Sequence, residues 1–282
     1  MARSDWRRPE VEPVAEGWRR IKLSVSYDGS KYHGWQSQNN AESVQSRLES
    51  VLREVTGESE LFVQGSGRTD RGVHALDQVC HFDTQSTISA DKFMVILNTK
   101  LEKSIRVTSS SEPEGIFHAR FTTYSREYWY LVKRMSDMLP FDENRYCFVR
   151  ELPDLDLLNS YAKSLFGTHD FTTFASARDE SLSKYRDIYV SEWNREVDAY
   201  GYEVLKYRVA GNAFLYHQVR SMVGTMLEGA RSGLTAEEFK AKLDKKDRSE
   251  ALKTAPSEGL YLARISYDEE EYRWFEEEYN GE

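Results

Sequence analysis

The chain has 282 residues, enough for one large domain or two medium ones, with 39% hydrophobic and 30% charged residues and only six prolines, the make-up of a globular protein rather than a disordered one. No stretch approaches the ~18 consecutive apolar residues of a membrane helix. The opening MARSDWRRPE has no signal-peptide core, and Cys80 and Cys147 form no C-x-x-C pair, so a cytoplasmic protein with no membrane partner is expected. The net charge of -9 speaks against a nucleic-acid partner only until its distribution is read, because residues 268–282 carry eight acids and one base, net -7, and leave -2 for residues 1–267. A nearly neutral body has room for a basic face, and the acidic tail reads as a solvated end.

In chain order, Ile21, Leu23, Val25 and Tyr27 alternate with polar residues, which predicts a half-buried strand ending at the Asp28-Gly29 turn. After the loop SKYHGWQSQNN, Val44, Leu48, Val51, Leu52 and Val55 predict a helix capped by Asn40 or Ser43. Residues 60–64 predict a short strand leading into GSGRTDRGVHAL (65–76), and DQVCHFDT (77–84) a strand leaving it. Ser89 to Leu101 predicts a helix, Ile105 to Val107 a strand, and SSSEPEG (109–115) has the composition of a linker. The pattern then restarts: a strand over 126–132, a helix over 155–165 closed by Gly167, and a hairpin of 188–197 with 202–209 across DAYG. Leu215, Val219, Met222, Val223 and Met226 stripe a helix, Thr235 with Glu238 makes a capping box, and 259–265 is a last strand. The expected division is an N-terminal α/β subdomain over 18–118, a C-terminal one over 119–267, an N-terminal extension (1–17) and the tail (268–282), with no residue-level repeat.

Spacing argues against several chemistries. GSGRTD lacks the third glycine of a dinucleotide fingerprint, no G-x-x-x-x-G-K-[ST] or G-x-S-x-G occurs, and the six histidines follow no metal-binding pattern. Neither a cofactor nor a metal is expected. Asp70 remains, between Arg68 and Arg71 in a glycine-rich turn between strands. One reading makes it an ordinary turn aspartate that accepts from its own backbone. The other makes it a carboxylate kept ionised by neighbouring arginines, beside glycines that let a polynucleotide approach and forks that fit phosphate.

Seven co-linear segments make the chain resemble the tRNA pseudouridine synthase A family: YDGSKYHGWQSQ with SVQSRLE, GRTDRGVHAL, FHARF, REYWYLV, FGTHDFTTF, NAFLYHQVRSMVG and APSEGLYL, spanning residues 27 to 262. The resemblance implies an isomerase without metal or cofactor that turns uridine into pseudouridine in the anticodon stem-loop of tRNA, positions 38–40. It implies a homodimer with one tRNA spanning both subunits. Asp70 inherits the catalytic role, as nucleophile or base. Arg68 inherits extrusion of the target base, a step required because a stacked base is out of reach. Tyr128, the first tyrosine of R-x-Y-x-Y, is expected to stack on the uracil, with an ordinary strand aromatic as the rival reading. Arg220 is expected to pair with Asp70, with a solvated helix charge as the rival. Leu260 resembles the apolar wall under the uracil, and Lys31, Arg71 and His74 are expected to contact substrate. Tyr32, His33 and Trp35 read as RNA-facing with Lys31, or Trp35 as packed on the sheet. Arg71 departs from the alanine common in bacterial members. The fold class implied is α+β, a mixed, largely antiparallel central sheet flanked by helices, with an RNA-binding cleft between two similar subdomains. The alternatives are the same chemistry on other RNA, or an RNA-binding or chaperone protein without catalysis.

Overall fold

In a computed structural model, residues 9–273 are described, so residues 1–8 and most of the expected tail (274–282) lie outside the described residues. The chain divides into two compact units, one of residues 9–124 with Tyr261–Tyr267, the other of Ser125–Leu260 with residues 268–273. Both are mixed, largely antiparallel sheets flanked by helices, the α+β class expected. Among the described residues no helix is long and apolar enough to cross a membrane.

The first unit contains β1 (Arg19–Tyr27), α1 (Val44–Thr56), β2 (Gln64–Gly65), β3 (His74–Thr84), α2 (Lys92–Lys100) and β4 (Ile105–Ser111). Alternation along β1 sends Ile21, Leu23 and Val25 into the core, fully buried. The strand pairs antiparallel with β3 on one side, Leu23 opposite Cys80, and with β4 on the other, Val25 opposite Val107. Ser43 caps α1 in a reciprocal box with Ser46, and the face bearing Val44, Leu48 and Leu52 is buried. Asn98 of α2 receives the Val107 amide at 2.9 Å and donates to its carbonyl at 2.8 Å, which satisfies backbone groups of β4.

Two expectations are corrected here. The predicted strand over 60–64 shrinks to Gln64–Gly65, because side chains of α1 take the backbone groups a ladder would have used. Glu49 accepts from Val63 N at 3.1 Å, Gln45 donates to Val63 O at 3.1 Å and Arg53 donates to Leu61 O at 3.0 Å. The serines read as linker instead prolong β4, with Ser109, Ser110 and Ser111 opposite Ser24, Leu23 and Lys22. Ladder bonds are indifferent to side chain, and Ser110 Oγ accepts from Met94 N at 2.9 Å, so the small hydroxyl suits a strand beneath a helix.

The second unit contains β5 (Ser125–Arg134), β6 (Cys147–Val149), α3 (Leu155–Lys163), β7 (Gly167–Asp170), β8 (Tyr185–Val197), β9 (Glu203–Gly211), α4 (Gln218–Ser232) and α5 (Ala236–Asp244). β9 lies between β5 and β8 in antiparallel pairing, β7 extends the sheet past β8, and β6 runs parallel to β5. Neither β6 nor β7 is foreseen by sequence pattern. Gly167, read as the end of a helix, has φ +100° and opens β7. Leu215, read as part of the helical stripe, precedes α4, which begins after His217 in a left-handed conformation. The core gathers Tyr161 stacked on Phe239 at 4.8 Å and Trp193 beside Tyr207 at 5.1 Å, with Met222, Val223 and Met226 of α4 fully buried. Thr235 and Glu238 form the predicted capping box on α5.

The last strand, β10 (Leu260–Ser266), begins in the second unit. From Tyr261 it belongs to the first, where Tyr261 and Leu262 lie parallel to His74 and Ala75 of β3.

Candidate active site

In the first unit, residues 66–73 connect β2 to β3 as a loop whose backbone is held along its length. Ser66 N bonds Val79 O at 2.8 Å, its hydroxyl donates to Gln78 Oε1 at 2.6 Å, and Gln78 Nε2 returns to Gly67 O at 3.0 Å. Thr69 is buried and shares a 2.8 Å hydrogen bond with the Tyr27 hydroxyl, while its carbonyl accepts from Trp35 N at 3.1 Å. Val73 N closes a turn onto Asp70 O at 3.1 Å. A second loop, running from Asp28 to Trp35, presses against this one. A Cβ on Gly34, whose φ is +88°, would stand 2.4 Å from Thr69 O, and one on Gly29 would stand 1.9 Å from Val73 O. Only glycine permits either approach.

Asp70 is therefore partly exposed on a rigid support, with Arg68 and Arg71 exposed on either side and Thr69 turned inward. Lys31 ends a single helical turn capped by Asp28, which accepts from Ser30 N at 3.0 Å, and is exposed. His74 is buried, its ring stacked on Tyr261 at 4.7 Å and its Nδ1 accepting from Gly29 N at 3.1 Å. Its visible work is to seat the turn that carries Lys31. Tyr32, read as RNA-facing, lies in the core, and Trp35 takes the packed position that was the alternative to facing RNA. The Tyr32 hydroxyl meets Ser104 Oγ at 2.7 Å, and the Trp35 indole covers Gly65, where an added Cβ would lie 2.5 Å from Nε1. Their apolar rings outweigh the polar handles. His33 is exposed.

In the second unit, Tyr128 occupies the middle of β5 opposite Val209 of β9 and is 8% exposed. Period two puts Arg126, Tyr128 and Tyr130 on one face and Glu127 and Trp129 on the other. The second face is locked by Glu127, which accepts from both Arg208 Nε at 2.7 Å and its second nitrogen at 3.0 Å, and from Trp129 Nε1 at 2.7 Å. That hydrogen bonding holds the Arg208 guanidinium above its usual range. On the first face, Tyr130 donates to Pro256 O at 2.8 Å and the Tyr128 ring meets Phe214 edge-on, centroids 5.2 Å apart at 84°. Arg220, half-buried near the start of α4, donates from Nε to Ala255 O at 2.9 Å, and Ala255 N returns to Arg220 O at 3.0 Å. Gly224 lets α4 come this close, since a Cβ there would fall 1.9 Å from Lys253 O. Leu260 is buried at the start of β10.

The structure thus gathers Lys31, Arg68, Asp70 and Arg71 on two abutting loops of the first unit, with His74 at the start of β3 beside them, and places Tyr128, Arg220 and Leu260 on a strand, a helix and a strand of the second. Sequence reading missed Thr69 and Tyr27 as the anchor of the loop, and Phe214 as the partner of Tyr128. Thr69 stood between the residues of interest and carried a signal in its own right, a hydroxyl next to a functional acid. Among the described residues, no three His, Cys, Asp or Glu side chains gather as a metal requires.

A family model described as tRNA pseudouridine synthase matches residues 23–122 and 161–268. The chain belongs to that family, whose members are isomerases of uridine in tRNA. Among curated relatives, the tRNA pseudouridine synthase A of Bacillus pumilus is 41% identical over 250 residues, covering 88% of this chain and 99% of its own length. The namesake proteins of Listeria welshimeri and Acetivibrio thermocellus are 39% and 36% identical, each over 88% of this chain and 99% and 100% of their own. Among solved structures, a chain of a Cbf5-Nop10-Gar1 complex is matched at 10% identity with a TM-score of 0.34, covering 92% of this chain and 66% of that one, too slight a likeness to argue from.

Proposed function

We propose that this enzyme isomerises uridine to pseudouridine in the anticodon stem-loop of tRNA, at positions 38–40, with Asp70 as the catalytic carboxylate. The observation that carries the reading is the support under Asp70. A loop tied through Thr69 to Tyr27 and Trp35, and fitted against two glycines, keeps one acid partly exposed between two exposed arginines. Rigid presentation of a single charged group is what an active site needs and an ordinary surface turn does not.

The chemistry assigned to this chain is that implied by its family, carried over to the residues that match the family's motifs. The Asp70 carboxylate either bonds to ribose C1′ as the bond from uracil N1 breaks, and is released when C5 takes its place, or takes a proton from the ribose and later returns it; in both cases the base turns in place and rejoins through C5, which loses its proton while N1 gains one. Nothing is added or removed overall, so the reaction is an isomerisation. Arg68 holds the target base out of its stack, Tyr128 stacks on the uracil, Arg220 pairs with the catalytic acid, and Leu260 supplies an apolar wall. Lys31 and Arg71 meet phosphates, which their exposure supports. His74 enters through the Asp28–Lys31 turn that it seats. A homodimer in the cytoplasm, with a tRNA spanning both subunits, belongs to the same proposal.

Asp70→Ala decides the central assignment. The variant is expected to make no pseudouridine on unmodified tRNA transcripts while binding them as the wild type does, and retained turnover would refute the role. Mapping of the product by sequence position tests the target, since modification confined to other arms or other RNA would favour the same chemistry elsewhere. Sedimentation at micromolar concentration tests the dimer.

A further inference from the structure

The segment Asn212–His217 joins β9 to α4 and is held at both ends by aspartates. At its start, Asn212 Nδ2 donates to Asp187 Oδ2 at 2.8 Å, Asn212 N donates to Asp187 O at 3.0 Å, and Asn212 O accepts from Arg126 at 2.7 Å. At its end, Tyr216 N donates to Asp179 Oδ2 at 2.7 Å and Tyr216 O accepts from Ser176 N at 2.8 Å. Asp179 is itself tied down: its Oδ1 accepts from Ser181 N at 3.0 Å and from the Lys184 ammonium, and its side chain is only 5% exposed. Burial opposes its ionisation, yet these donors outweigh burial and hold its carboxyl at about 2. The next residue, His217, stands at φ +63°, a left-handed conformation that a non-glycine residue keeps only when its surroundings insist. Between the two anchors lies Phe214, the residue that meets the Tyr128 ring edge-on.

We propose that Asp179 is a positioning residue of the active site, which through Tyr216 fixes Phe214 and so the plane of the Tyr128 ring. The inference rests on the role proposed above for Tyr128. Asp179 touches no reacting atom. Its loop, residues 176–184, acts as a brace for the segment that orients the stacking tyrosine. A ring free to swing by a fraction of its width loses the alignment on which base rotation depends.

The test compares single-turnover rates and tRNA dissociation constants of the full chain. Asp179→Ala is expected to slow the single-turnover rate about tenfold with the tRNA dissociation constant unchanged within about twofold. Phe214→Leu is expected to slow it comparably, and the double variant to be no slower than the slower single, because both act through one ring. Asp179→Asn keeps an acceptor for Tyr216 N but turns its amide toward Ser181 N and the Lys184 ammonium, and is expected to restore part of the rate. Wild-type rate in Asp179→Ala, multiplying effects in the double variant, or a loss confined to tRNA affinity would each overturn the inference. Should Asp179→Ala not fold, Phe214→Leu decides, a tenfold slowing at unchanged tRNA affinity sustaining the idea and a wild-type rate ending it. Absence of pseudouridine from the wild-type chain would instead count against the proposed function.

Discussion

The hydroxyl of Tyr27, at the end of β1, shares a 2.8 Å hydrogen bond with Thr69 Oγ1, the residue immediately before Asp70. Both side chains are buried, so water does not replace the bond when it is lost. Tyr27→Phe removes one partner and leaves the Thr69 hydroxyl unsatisfied. The variant is expected to lose about 1–2 kcal/mol of stability in urea unfolding. Because the bond anchors the loop rather than the RNA, turnover is expected to fall while tRNA affinity is kept, and equal loss of both would contradict that placement.

Gly34 and Gly57 form a natural pair for comparison. Both have positive φ, +88° and +78°, but an added Cβ meets Thr69 O at 2.4 Å in the first and nothing within 4 Å in the second. Gly57→Ala carries backbone strain alone and is expected to cost about 1–2 kcal/mol. Gly34→Ala adds a collision with the backbone of the Asp70 loop and is expected to cost at least about twice as much and to lower turnover as well. Equal losses in denaturant melts would show that the two loops do not bear on one another as described.

His81 is buried in β3, with Nδ1 accepting from Ala119 N at 3.1 Å, and its ring edge meets His118 at 4.8 Å. Burial first, then the charges of Arg20 and His118, lower its pKa from 6.5 to about 3. The folded form thus refuses a proton that the unfolded chain accepts. Stability is fully present above about pH 6.5 and falls progressively as pH drops toward 3. His118 and His169 are also lowered, mainly by burial, and act in the same direction. Most carboxylates titrate lower, so the upper part of this window, from about pH 6.5 to 5, reports the histidines. His81→Asn, which offers an acceptor without titrating, is expected to flatten the urea midpoint over that range; an unchanged slope would remove His81 from the account.

Lys133 on β5 has no exposed side-chain surface and lies 2.7 Å from both Asp142 and Asp198. Lys133→Met leaves two buried carboxylates with no cation between them. Breaking a buried charge group on one side costs about 3–5 kcal/mol, and a loss of that order is expected in chemical denaturation. The measured loss is expected to shrink at acidic pH, where protonation of Asp198, whose pKa Lys133 helps to lower in the native chain, relieves the repulsion in the variant.

Much of the fold was legible along the chain because it rests on local rules. The alternation from Ile21 to Tyr27, the Ser43 and Thr235 caps and the helical stripe from Val219 to Met226 need only neighbouring residues to declare themselves. The placement of Asp70 in a glycine-rich turn between strands was equally local. What the sequence could not determine depends on partners far apart in the chain. The short β6 and β7 exist because longer strands lie beside them, the serines after Val107 became strand because β1 offered a ladder, and residues 61–63 left the sheet because α1 took their backbone. Only the tertiary structure decided that Tyr32 and Trp35 face inward, that Thr69 bonds to Tyr27, that Phe214 meets Tyr128 and that Asp179 accepts from Tyr216 N. The reason is physical: propensity and pattern act over a few residues, whereas burial and hydrogen-bond satisfaction are settled by whatever the folded chain brings alongside.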